Sequence, residues 1–185
     1  MTFWTRPQMV VSIVLRFLRG KKIIYSMGRM LFPNPLVTNP VLSSVMQIPK
    51  MRQQLTNAFG KVFITITADT ENRWIHTNWV GYLTQENVKA GALAYTNAVK
   101  EYGYSCVLND TSEVLGSWDH SLEWVIDEWS IQAAAAGIKH FALITTPESF
   151  AGATASNFSS NNKAFEVRVF ANETTAKAWL LQHSI

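Results

Sequence analysis

From Lys61 onward the apolar positions change period several times, and each change marks an element. Lys61 to Ala68 alternates, with Val62, Ile64, Ile66 and Ala68 on one side, as a half-buried strand does. Arg73 to Val80 is a second extended run, rich in Trp, Ile and Thr, and Asp69-Thr70-Glu71-Asn72 between the two is turn chemistry, so the pair reads as an antiparallel hairpin. Thr84 then caps a helix reaching Tyr102. Val88, Gly91, Ala92, Tyr95, Val99 and Tyr102 share one stripe of it, and Gly103 stops it.

The same alternation continues. Tyr104 to Asp110 is a third strand, and Ser117 opens a second helix, with Asp119 in its first turn and Gly137 at its end. Lys139 to Thr145 is nearly all apolar and reads as a central strand. Pro147 opens a short helix, Ser159 to Asn162 is a loop, and Phe165 to Phe170 is a half-exposed strand. Asn172 caps a last helix whose inner face is Ala176, Trp179 and Leu180. Strands separated by single helices imply right-handed parallel crossovers. The predicted class is α/β: a mixed five-stranded sheet, an antiparallel hairpin plus parallel βαβ units, flanked by helices.

Charge divides the chain. Residues 1–57 hold eight of the sixteen basic residues and no acid, whereas residues 58–185 set eight basic residues against thirteen acidic ones, a net −5. The first part reads as a basic N-terminal extension and the second as the folded domain. An acidic domain gives no basic footprint for nucleic acid. Val10 to Leu15 is apolar but is ended by Arg16, far short of the roughly 20 apolar residues of a membrane span. Three readings stay open for the extension: a reading frame begun upstream of a natural start at Met46 or Met51, a targeting peptide, or an amphipathic basic helix over residues 9–32 lying on anionic lipid. Pro33, Pro35, Pro40 and Pro49 mark a linker.

The hairpin with Trp74-Ile75 and Trp79-Val80-Gly81-Tyr82, and the run Leu108-Asn109-Asp110, Gly116-Ser117-Trp118-Asp119, Trp124, Glu128-Trp129 and Ala136-Gly137, resemble the SpoIIAA-like, STAS/SEC14-type domain of bacteria. The resemblance spans about residues 55–183 and rests on packing and turn patterns. It implies a STAS-like fold and one of two roles: a phospho-switched regulator docking a protein partner, or a binder of lipid or another small apolar ligand. In regulators of that kind a phosphorylatable Ser stands in a turn at a helix start. The matching place here is Asp110-Thr111-Ser112, although Glu113-Val114-Leu115-Gly116 departs from the regulator pattern and delays the helix to Ser117. Asp, Thr and Ser are also ordinary turn formers.

Few other residues suggest chemistry. On a regular helix from Trp118, the stripe Trp118, Leu122, Val125, Ile126, Trp129, Ala133 and Ala136 faces the core. Trp124 and Ile131 then face outward beside His120, Asp127 and Glu128, as a patch for a partner or for a second copy of the chain. His120, Glu123 and Asp127 have helical spacing, but no second His or Cys joins them, so they read as a solvated acidic face rather than a metal site. His76 and Asn78 share a strand face with Trp74; His140 and His183 stand at a strand start and near the C-terminus. The one cysteine, Cys106, lies in an apolar strand, where a buried thiol is expected. No phosphate-binding glycine loop, G-x-S-x-G elbow or H-E-x-x-H motif occurs. The expectation is a cytoplasmic, non-enzymatic binding or regulatory module without cofactor or metal. The alternatives are an enzyme with a pocket near His76, Trp79 and His120, and a peripheral membrane protein held through residues 9–32.

Overall fold

The computed structural model describes residues 51–184; the expectations for residues 1–50, including the lipid-binding segment 9–32, lie outside them. Six strands form one mixed sheet in the order β1 (Arg52–Thr56), β2 (Val62–Asp69), β3 (Trp74–Gly81), β4 (Cys106–Val114), β5 (His140–Ile144) and β6 (Glu166–Phe170). The first two pairings are antiparallel and the remaining three parallel.

The sixth strand corrects the sequence reading, which expects five. The division by charge assigns Arg52–Thr56 to the extension, yet this segment pairs with β2 from Arg52 opposite Thr67 to Leu55 opposite Ile64. Its residues are polar and exposed but for Leu55. An edge strand held by backbone hydrogen bonds leaves no hydrophobic period to read.

The β2–β3 turn forms as its residues require. Asp69 Oδ1 accepts from the backbone N–H of Glu71 at 3.1 Å and of Asn72 at 2.9 Å, an Asx-type turn. Helix α1 (Gln85–Tyr102) is entered through a capping box between Thr84 and Asn87 and left through Gly103, which is left-handed at φ 66°. Gly91 lies where α1 crosses the sheet; a Cβ there would overlap the Trp79 ring.

The second helix is not regular. We call α2 the continuous stretch made of a 3-10 turn (Asp119–Ser121), an α turn (Leu122–Trp124), a π turn (Val125–Trp129) and an α-helix (Ser130–Ala135). Ser130 closes the π turn by donating both its backbone N–H and its hydroxyl to the Val125 carbonyl. A π turn inserts an extra residue per turn and rotates the helical segment beyond it. Ser130 is therefore buried beside Val125, Trp129 and Ala133, and Trp124 becomes half-buried instead of outward. Helix α3 (Phe150–Asn161) is capped by Ser149 and runs through the stretch expected to be a loop. Helix α4 (Glu173–Leu180) is capped by Asn172.

Sequential parallel crossovers of one hand put their helices on one face. Accordingly α1, α2 and α3 share a core with Ile64, Ile75, Trp79, Val107, Phe141 and Leu143. Helix α4 alone covers the opposite face, setting Ala176, Trp179 and Leu180 against Trp74, Cys106, Leu108, Ala142 and Ile144. Among the described residues no helix is long and apolar enough to cross a membrane.

Candidate functional site

The sheet brings a group of aromatic residues together under α1–α3. Side chains alternate along a strand, so Asn109 and Thr111 of β4 point to the same side as Trp79 of β3. Asn109 Oδ1 accepts from the Thr77 hydroxyl and from Trp79 Nε1, both at 2.8 Å. These bonds satisfy two buried donors and hold the Trp79 ring in place. Thr111 is buried and donates its hydroxyl to the Ile144 carbonyl at 2.7 Å. Trp129 donates Nε1 to Thr96 at 3.0 Å.

Between these groups lies a cavity of about 50 Å³, walled by Trp79, Tyr95, Trp118, Val125, Trp129 and Phe158 among others. Its polar groups are few and mostly committed. The exception is Trp118, whose buried Nε1–H has no acceptor. Buried polar groups ordinarily have a partner, so this N–H is a cavity-lining donor left open to an acceptor. Burial pushes the Tyr95 phenol well above its usual pKa of 10.0, so it stays a neutral hydroxyl.

Thr111 and Leu143 lie toward the C-terminal ends of β4 and β5, the end at which open α/β sheets take ligands. Exposed apolar side chains collect at that end. Tyr82 follows β3 at 76 % exposure, Leu115 follows β4 at 52 %, and Phe150 begins α3 after β5 at 78 %.

The other sequence candidates disperse. Asp110, Thr111 and Ser112 form part of β4, which runs on to Val114, and not a free turn. Ser112 is exposed and donates its N–H to Asp110 Oδ1, while the Thr111 hydroxyl is buried and committed. In the outward patch Ile131 is 63 % exposed, and His120 and Glu128 are exposed. Trp124 instead packs at the margin of the core with the Lys89 ammonium 5.2 Å from its ring centroid. His76 faces the α4 side of the sheet and Trp79 the other, so the grouping of His76, Trp79 and His120 does not assemble into one pocket.

His76 sits instead on an open polar recess with Arg52, Thr65, Thr67 and Asn78. Its Nε2 and the Asn78 Oδ1 are buried without partners. Burial lowers the His76 pKa below the usual 6.5, opposed by Glu173, Asp110 and Asp69 and assisted by Lys177.

One group had no signal in the sequence. His140, Glu166 and His183 come together from β5, β6 and the turn after α4. Their separations along the chain match no ligand spacing, and only the parallel register of β5 with β6, which sets His140 opposite Glu166, reveals them. Comparison with known proteins gives no match, neither to a family model nor to a curated sequence.

Proposed function

We propose that the domain is a non-catalytic, cytoplasmic binding module of the STAS/SEC14 kind, which takes a small apolar ligand carrying a hydrogen-bond acceptor. The observation that supports this is the aromatic cavity with the unpaired Trp118 indole N–H in its wall. An apolar enclosure with one or two placed polar groups is the usual form of a small-molecule site.

Size narrows the ligand. The cavity measures about 50 Å³, whereas an engineered apolar cavity of about 150 Å³ holds benzene. A full acyl chain would require α2 or α3 to move away from the sheet. The ligand is therefore a compact molecule, or the compact apolar tip of a larger one. Entry from the end bearing Tyr82, Leu115 and Phe150 is consistent with their exposure.

The test is a titration of protein labelled with ¹⁵N at its tryptophan indoles, using short ketones and short methyl esters as probes. The Trp118 resonance should shift saturably, Trp79 and Trp129 should move less, and Trp179, on the opposite face, should stay put. Absence of a saturable shift would remove the binding reading. Hydrolysis of the ester that depends on the cavity residues would replace the non-catalytic reading with an enzymatic one.

A further inference from the structure

We propose that His140, Glu166 and His183 form a binding site for a divalent transition-metal ion of the zinc class. One donor atom from each lies within 4.8 Å of the other two. Two imidazoles and one carboxylate are a common three-residue zinc set, which leaves a fourth position for water or another ligand.

Three features bear on how this group would hold a metal. The first concerns Glu166. Its Oε1 is held by Arg168, through Nε and a terminal nitrogen, both at 2.9 Å. Its Oε2 is left facing His140 Nδ1 at 3.3 Å, close enough to interact but without the geometry of a hydrogen bond. The carboxylate is thus oriented by a neighbour, as metal-binding carboxylates commonly are.

The second feature is the ring pair. His140 and His183 stack with centroids 3.9 Å apart and planes 16° from parallel. Trp179 abuts both, 5.8 Å from His140 and 5.2 Å from His183. Two imidazoles are thereby held side by side against an apolar wall. Zinc–nitrogen bonds of about 2.0–2.1 Å in a tetrahedral site put donors roughly 3.4 Å apart. The set must contract, and His183 must tilt out of the stack so that both lone pairs converge. His183 stands on the turn after α4 and is half-buried, so the rotation gives up its stack on His140 and its edge contact with Trp179.

The third feature selects the ion. Only one carboxylate is present, and Arg168 and Lys139 add positive charge nearby. Calcium and magnesium need mostly oxygen ligands and gain little here. An ion that binds imidazole nitrogen strongly can outweigh that charge. Once bound, it would fasten the turn after α4 to the starts of β5 and β6.

Calorimetric titration of the full chain with zinc chloride tests the site, with magnesium chloride as the contrasting ion. One saturable zinc per chain is expected, and none for magnesium. His183→Ala and Glu166→Gln should each weaken zinc binding about tenfold or more, with circular dichroism unchanged. His120→Ala, which alters an exposed histidine elsewhere, should leave the affinity as it was. Cobalt should give the visible absorption of a four-coordinate site in the native chain and lose it in His183→Ala. No saturable zinc, equal affinity in the His183 and Glu166 variants, loss of binding in His120→Ala, or magnesium binding as tightly as zinc would each overturn the assignment.

Discussion

The two faces of the sheet solve the same problem differently. Under α1–α3 the interior is a lattice of aromatic rings: Tyr95, Phe141, Phe158 and Phe165 all lie within 6.2 Å, centroid to centroid, of Trp129. The buried indoles Trp79 and Trp129 each find an acceptor, whereas Trp118 does not. Under α4 there is one helix and a small cluster. Trp179 is buried there, but its Nε1 has no partner. Beyond α4 the sheet surface is polar and open at Arg52, Thr65, Thr67, His76 and Asn78. The difference teaches that burial and hydrogen-bond satisfaction are separate achievements. The three-helix face buries more, yet each face keeps a buried indole without an acceptor. On the single-helix face the unpaired groups of His76 and Asn78 also line an open recess, where small changes of charge or ligand reach them.

The sharpest way to break this contrast is to truncate one tryptophan on each side. Trp129→Ala should lower unfolding free energy by about 3–5 kcal/mol, as loss of a large core aromatic does. Trp179→Ala should cost less, because its unpaired N–H disappears with the ring. It should also loosen α4 while the rest of the domain keeps its fold. Denaturant melts give the first comparison, and amide exchange confined to α4 gives the second. Equal losses with uniform exchange would show that the two faces unfold as one layer.

A smaller effect tests the packing of the three-helix face. Gly→Ala inside a helix ordinarily stabilises by about 1 kcal/mol. At Gly91 the new methyl meets the Trp79 ring, which Asn109 holds in place. Gly91→Ala should therefore destabilise by about 1–3 kcal/mol, the range for overpacking. A raised melting temperature would mean that the Trp79 ring yields easily.

The smallest expected effect belongs to the other face. His76 has a folded pKa below 6.5 because burial disfavours its cation, although Glu173, Asp110 and Asp69 favour it and Lys177 adds to the opposition. The unfolded chain then binds more protons than the folded one between the two pKa values. Stability should be full above pH 6.5 and be lost as pH falls from 6.5 toward the folded value. The carboxylates with depressed pKa, Glu86, Asp119, Glu166 and Glu173, act lower still, below ordinary values of 3.8 to 4.5. Burial and His183 lower the His140 pKa in the same direction, so His76→Gln should flatten only part of the decline in melting temperature between about pH 7.5 and pH 5.5. An unchanged decline would place its origin elsewhere.

Elements whose signal is local were legible in the sequence. The hairpin, Thr84, Gly103, Asn172 and the apolar strand at His140–Ile144 all follow from short-range rules of alternation and capping. Two errors share a cause, in that the deciding interaction was not periodic. The edge strand Arg52–Thr56 is specified by pairing with β2 and carries no apolar face. The π turn in α2 displaces Trp124 from the face that a regular helix assigns to it. Of the cavity, the tryptophans could be read as inward, but its volume and the unpaired Trp118 N–H arise from how three helices settle on the sheet. The His140–Glu166–His183 group required strand register, which no single segment encodes.

The strand order, running one to six without interruption, also bears on how the chain acquires its fold. From β2 onward each strand docks beside the one made just before it; only the β1–β2 and β2–β3 turns are short, and each parallel pairing must close over a whole helix. Helix α4 is the exception: it must reach back across β5 and β4 to Trp74 on β3. On a ribosome, every strand it covers emerges before it does. Until then Trp74, Cys106, Leu108 and Ile144 present an apolar strip to water, and that interval is when the nascent chain is most exposed to aggregation or to capture by a chaperone.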